Sequence, residues 1–221
     1  MTQVHEVEGG CVGIEYVVLG PIANNVYLIS DGTTNFVVDP SCKVDEIMEM
    51  VDGRAVDAIV ITHRHYDHVG AAKALRERTG APVIASAIDA PAISGGKSGY
   101  GEGRFEPCPV DQTVSHGDVL QLGDMPWKVI GTPGHTPGGI CLYLDPRFGS
   151  DPEGTPLLIS GDTLFCGSIG RTDFEGGSMQ DMRTSLKRLA ALPDETVVLP
   201  GHDSLTCIAN ERQRVFAQYA R

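Results

Sequence analysis

Residues 63–68 read HRHYDH, three histidines and an aspartate in six positions of a 221-residue chain that holds only seven histidines. Crowded imidazoles and carboxylates cost stability unless something coordinates them, so this density points to metal binding. His63 and His65 stand two apart, and on a locally extended loop both can face one ion. His135 would complete three imidazoles, a catalytic zinc set that leaves a position for water. Asp67 and His68, joined by His202, could hold a second ion, and Asp162 has two oxygens with which to bridge the pair. Two ions about 3.5–4 Å apart that share a hydroxide make a nucleophile at neutral pH. They also polarise a carbonyl and stabilise the oxyanion formed on attack. Zinc is the first expectation, with iron and manganese as alternatives, since imidazole suits all three. His5 and His116 fall outside the constellation and read as surface or turn residues.

Such a site needs rigid elements to aim it. Each candidate ligand follows an apolar strand: the HRHYDH cluster follows Ala58–Ile61, His135 follows Trp127–Gly131, Asp162 follows Leu157–Ser160, and His202 follows Thr196–Leu199. Strand ends that converge on one point are how α/β scaffolds build binding sites. Further strands are expected at Val12–Leu19, Val26–Ser30, Asn35–Asp39, Pro82–Ser86, Val119–Leu122 and Gly139–Leu144. Helices are expected at Val44–Val51, Val69–Thr79 and Ser178–Leu192, with a helical tail from Cys207. Residues 89–112, rich in Gly, Pro and Ser, read as one long loop bordering the site. Two groups of strands, each followed by helices, imply two packed sheets with helices outside. No internal repeat stands out.

A net charge of −12, from 17 basic and 29 acidic residues, argues against a nucleic-acid backbone or an anionic membrane as partner. No stretch approaches the roughly 20 apolar residues of a membrane span. The amino terminus lacks the pattern of a signal peptide, so a soluble cytoplasmic protein is expected. The six cysteines are scattered without a CxxC pair, and free or buried thiols are expected rather than disulfides. Oligomeric state has no signature.

The motifs "THRHYDH", "TPGHTPGG", "SGDTLF" and "PGHDS" resemble, in order, those of the metallo-β-lactamase superfamily, and the similarity runs over essentially the whole chain. The resemblance implies a four-layer αββα sandwich of the α/β class, formed by residues 1–221 as one domain. It also implies the ligand assignments above, with His63, His65 and His135 on one metal, Asp67, His68 and His202 on the other, and Asp162 bridging. Asp39 in "VVDPS" looks like the family's aspartate that orients a metal ligand by a hydrogen bond, with a strand-end cap as the alternative. Arg64 stands where relatives often have threonine or serine. It either stays in solvent or, with Tyr66 beside it, shapes reception of the substrate.

Residues 161–177, GDTLFCGSIGRTDFEGG, are similar to the glyoxalase II-type branch, in particular its short bacterial members. That likeness implies hydrolysis of a thioester such as S-lactoylglutathione, or of a related acyl-thiol or ester, with Asp67 and Asp162 central to the chemistry. Arg171 and Asp173 then either position substrate or tie their loop. Longer relatives add a helical carboxy-terminal domain that grips glutathione, whereas about twenty residues follow His202 here, so the thiol carrier stays open. The nearest rival is a persulfide dioxygenase with one iron on His63, His135 and Asp162. A non-catalytic metal-binding or redox-sensing domain, with Cys166 responding to oxidation, is a further alternative.

Overall fold

The computed structural model describes residues 3–7, 12–101, 103–146 and 154–221, so Cys11 lies outside the described residues, as does Glu102 within the expected loop. One sheet runs, in order, β1 (His5–Glu6), β2 (Gly13–Leu19), β3 (Asn24–Ser30), β4 (Asn35–Val38), β5 (Ala58–Val60), β6 (Val83–Ser86) and β7 (Gln112–Val114). Pairing is antiparallel as far as β4 and parallel from β4 to β7. The parallel crossovers are α1 (Val44–Val51), the short α2 (Tyr66–Val69) with α3 (Ala72–Thr79), and a connection containing α4 (Ala90–Ser94).

The second sheet contains β8 (Val119–Leu122), β9 (Met125–Gly131), β10 (Ile140–Leu144), β11 (Leu157–Gly161), β14 (Val197–Pro200) and β15 (Thr206–Cys207), in the spatial order 15-14-11-10-9-8. Between β11 and β14 the chain forms a hairpin, β12 (Leu164–Phe165) and β13 (Ser168–Ile169), and then α5 (Met179–Leu189). The end of the chain is helical, with α6 (Ile208–Glu211), a π-helical turn at Arg212–Phe216 and α7 (Ala217–Tyr219).

Side-chain alternation along the strands makes the layers. In β3, Tyr27 and Ile29 face the opposite sheet, whereas Val26 and Leu28 pack with Ile47, Met50 and Leu75 of α1 and α3. In β10, Ile140, Leu142 and Leu144 point between the sheets, whereas Cys141 and Tyr143 pack with Met182, Leu186 and Leu189 of α5. The result is the αββα sandwich. Trp127 fixes the central layer: it is fully buried and meets the Phe36 ring edge-on at 5.7 Å, one aromatic from each sheet. Each large apolar side chain so buried stabilises the fold by about 1.5–3 kcal/mol.

Several local expectations change. The helix read over Val69–Thr79 is broken at Gly70–Ala71, because the chain there closes on the β4–α1 loop. A Cβ on Gly70 would lie 2.1 Å from the Ser41 carbonyl, and Ala71 N–H donates to Pro40 O at 2.8 Å. The region read as one loop over 89–112 contains α4 and ends in β7, an edge strand of only three residues, too short to alternate visibly. The hairpin β12–β13 escaped notice for the same reason. The helix expected over Ser178–Leu192 begins after Ser178, whose hydroxyl caps it by accepting Asp181 N–H. Of the cysteines, Cys42, Cys108, Cys141, Cys166 and Cys207 are free thiols.

Candidate metal centre

β10 is antiparallel to both β9 and β11, and β11 is parallel to β14, so the carboxyl ends of β9, β11 and β14 lie at one edge of the second sheet. The carboxyl ends of β4 and β5 meet that edge from the first sheet: Ile140 N–H donates to Thr62 O at 3.0 Å, and Asn25 N–H donates to Gly201 O at 2.8 Å. The ligand-bearing loops therefore face one another. A register shift between Ile159 and Gly161 in β11 re-aims the chain just before Asp162. Gly201 supplies the room on the other side, since a Cβ there would stand 2.3 Å from Asp162 Oδ1 and 2.7 Å from His68 Cε1.

All seven expected ligands come together. His63, His65 and His135 offer donor atoms within 4.8 Å of one another, and so do Asp67, His68, Asp162 and His202. Asp162 joins the two groups: its Oδ2 is 3.3 Å from His135 Nε2 and 3.5 Å from His202 Nε2, and its Oδ1 is 3.3 Å from His68 Nε2. Asp67 Oδ2 lies 3.3 Å from His202 Nε2. A third grouping, Asp39 with His63 and His68, also lies within that span. Both oxygens of Asp39 are already engaged, however, by Thr62 N–H, Thr62 Oγ1 and His68 Nδ1. Those bonds suit Asp39 to orienting His68 and Thr62 better than to offering a free oxygen to an ion.

Four imidazoles are anchored through Nδ1 so that Nε2 is presented to the cluster. His135 Nδ1 donates to Arg171 O at 2.6 Å, His202 Nδ1 to Ile22 O at 2.9 Å, and His68 Nδ1 to Asp39 Oδ2 at 2.9 Å. His63 Nδ1 is 3.1 Å from Thr62 Oγ1, whose hydroxyl donates to Asp39 at 2.7 Å, which leaves Thr62 as acceptor for His63. Such outer partners fix tautomer and ring orientation for a metal ligand. His65 differs, its Nδ1 lying 2.8 Å from His135 Nε2.

The residues fit divalent cations. His63 Nε2 and His65 Nε2 are buried and have no hydrogen-bond partner, a cost that a bound cation would remove. Burial pushes His63 well below the ordinary histidine range and His65 down to about 3, which keeps both neutral and able to bind a metal. Burial also opposes charge at Asp67 and Asp162, but the adjoining His68 and His202 outweigh it and hold both carboxyls well below the usual carboxylate range. The same carboxylates overcome burial at His68, which is raised, and at His202, raised to about 10. The imidazoles and carboxylates of this group thus favour each other's charged forms.

A cleft of about 390 Å³ opens onto these donors, walled by Ile22, Tyr100, Phe165, Ile169 and Phe174. Tyr100 and Phe174 stack at 4.0 Å beside His65. Arg171 and Asp173 form an exposed two-pronged pair at 2.7 and 2.6 Å, with Arg171 lying 3.9 Å over the Phe174 ring. That pairing holds the Asp173 carboxyl down to about 2. Arg64 turns away from the cleft and donates to Glu175 O at 2.8 Å. Tyr66 borders an adjoining groove that shares Ile22 and Asp67 with the cleft, and its hydroxyl accepts from Arg104 at 2.9 Å. Cys166 sits in the β12–β13 turn, 4.0 Å from Arg214 Nη1. His5 stacks on Tyr16, and exposed His116 accepts Gly131 N–H, both away from the cluster.

Sequence reasoning missed Asn24 and Asn25. Asn24 Nδ2 donates to Asp67 Oδ2 at 3.1 Å, and Asn25 Nδ2 donates to Pro200 O at 2.9 Å, clamping the His202 loop. In sequence both stand just before the expected strand Val26–Ser30 and read as turn residues, so no local signal marked them.

The sequence model of the metallo-β-lactamase superfamily matches residues 19–202, and the chain belongs to that superfamily. It is 39% identical over 208 residues to a protein of Aquifex aeolicus, covering 90% of this chain and 93% of that one. It is 30% identical to the "Probable metallo-hydrolase YqgX" of Bacillus subtilis, covering 89% and 92%. A hydroxyacylglutathione hydrolase of Rhizobium meliloti is 40% identical over 145 residues, which span 66% of this chain and 47% of that enzyme. Among solved structures, TTHA1623 in a di-iron-bound form superposes with a TM-score of 0.75 at 33% identity, covering 90% and 97% of the two chains. ETHE1 from Myxococcus xanthus gives 0.75 at 31% identity, covering 94% and 84%. No helix among the described residues is long and apolar enough to cross a membrane.

Proposed function

We propose that the protein is a binuclear metallohydrolase that cleaves an acyl-thioester, S-lactoylglutathione or a related acyl-thiol. The observation that carries this reading is the pair of donor groups joined by Asp162 at the floor of an open cleft. His63, His65 and His135 would hold one divalent ion, Asp67, His68 and His202 the other, with Asp162 between them. When bound, such ions supply a water-derived nucleophile at neutral pH and electrostatic stabilisation of the developing oxyanion. The di-iron form of TTHA1623 supports two ions, and YqgX and the hydroxyacylglutathione hydrolase support hydrolysis.

The chain's own residues supply the rest. The carboxylates of Asp67 and Asp162 stay ionised across the working pH range. Arg171 O, Ile22 O and Asp39 keep three imidazoles aimed, so little reorganisation is needed during reaction. Tyr100 and Phe174 form an apolar wall against which an acyl or thiol portion can lie while water is displaced. A thiolate leaves readily, and accordingly no strong general acid is required at the cleft.

Metal analysis combined with a thioester assay tests the proposal. The expected result is two ions per chain and metal-dependent release of thiol from S-lactoylglutathione or a simpler thioester. One iron per chain with oxygen uptake on glutathione persulfide would overturn it in favour of a dioxygenase.

A further inference from the structure

Asp89 stands at the N-cap of α4, where an aspartate ordinarily accepts a backbone N–H of its own first turn. It makes no such cap bond. Its buried carboxylate turns away and collects three donors from two ligand loops. Oδ2 accepts Arg64 N–H at 3.1 Å and Thr136 Oγ1–H at 2.8 Å, and Oδ1 accepts Gly138 N–H at 3.1 Å. Arg64 lies between His63 and His65, and Thr136 directly follows His135. The one carboxylate therefore ties together the two loops that bear the three-histidine group. The fit is close, since a Cβ on Gly138 would stand 2.5 Å from Asp89 Cγ, so only glycine lets that backbone reach the carboxylate.

We infer that Asp89 is the positioning residue for the three-histidine group, holding the His63–His65 loop and the His135 loop in register. The inference rests on the reading of that group as one metal site. Asp39 does the corresponding work on the opposite flank, where it engages Thr62 and His68. The two buried aspartates thus bracket the HRHYDH loop, Asp39 engaging His68 directly and His63 through Thr62, whereas Asp89 engages only the two loops of the three-histidine group. Losing Asp89 should splay His63 and His65 from His135 and leave Asp67, His68 and His202 in place.

Titration of metal-free protein with Zn²⁺ against a chromophoric chelator tests this, with His135→Ala and His202→Ala used to assign each binding step. Asp89→Ala is expected to weaken the step lost in His135→Ala by about 10–100-fold and to leave the other step unchanged. Asp89→Asn, which keeps one oxygen, and Thr136→Val, which removes one donor, should each weaken the same step by less. Co²⁺ bound at that step should show an altered visible spectrum in all three variants. Unchanged affinities in Asp89→Ala, or equal weakening of both steps, would overturn the inference. If Asp89→Ala does not fold, the selective loss in Asp89→Asn and Thr136→Val decides, and its absence in both overturns it. Wild-type protein that takes up no ion would overturn the metal-site reading itself, and this inference with it.

Discussion

Asp39 Oδ2 lies 2.9 Å from His68 Nδ1, and the same carboxylate accepts both Thr62 N–H and Thr62 Oγ1–H at 2.7 Å. One buried side chain therefore fixes His68 on α2 and the start of the loop that bears His63 and His65. Asp39→Asn replaces an acceptor with a donor beside His68 Nδ1. Metal affinity of the group containing His68 is expected to fall by about 10–100-fold, as read by chelator competition. Wild-type affinity in this variant would remove the orienting role.

Asp67→Ala and Asp162→Ala are expected to cut thioester hydrolysis by more than about a hundredfold, a larger loss than for outer partners. Circular dichroism of both variants should stay native, because neither residue belongs to the apolar layers. Full activity in either variant would contradict the two-ion scheme.

Metal uptake should release protons. Against burial, His202 is raised from 6.5 to about 10 by the neighbouring Asp162 and Asp67 carboxylates, so it is protonated at neutral pH in the metal-free protein, and His68 is raised in the same direction. Only neutral imidazole binds metal, so the proton on His202 must leave and apparent affinity should climb with pH through the neutral range. Calorimetric titrations in buffers of different ionisation enthalpy should give different heats, and equal heats would sink the prediction. The same shift bears on stability. A histidine raised on folding contributes fully below its ordinary value and loses that contribution as pH rises through about 10. Melting of the metal-free protein should thus fall between pH 7 and 10, whereas that of the loaded protein should change less.

Gly201→Ala places a Cβ 2.3 Å from Asp162 Oδ1, so it should disturb the carboxylate shared by both donor groups. Loss of both ions with a near-native metal-free melting curve is expected. Metal content equal to wild type would show that the loop yields without cost.

Trp127→Ala should act on the core and spare the donor geometry. Removal of a fully buried indole that packs on Phe36 costs about 3–5 kcal/mol. For a chain of this size, that corresponds to a melting temperature lower by roughly 10 °C. A drop of only a degree or two would mean that the sheets close over the cavity.

The cluster of candidate donors was legible because its residue types are rare inside an apolar fold and stand at strand ends. His63, His65, His135 and the rest needed only chemistry and spacing to be picked out. The four layers were legible in the strict alternation of β3 and β10, whose two faces serve different cores. The break at Gly70 was not, because its cause, the Ser41 carbonyl, lies 29 positions earlier in the chain.

The sequence by itself determined which groups could bind metal, and the period-two pattern that stacks the sheets. Tertiary structure alone decided who holds those groups in place. Asn24, Asp89 and the carbonyls of Ile22 and Arg171 act through contacts that no local pattern encodes. A backbone carbonyl has no residue type to read, and a buried asparagine or aspartate looks in sequence like any turn residue. Only their distance from the cluster, set by two sheets meeting at one edge, gives them work at the site. The same holds for Arg64, which stands between two ligands in sequence yet faces away from them in space.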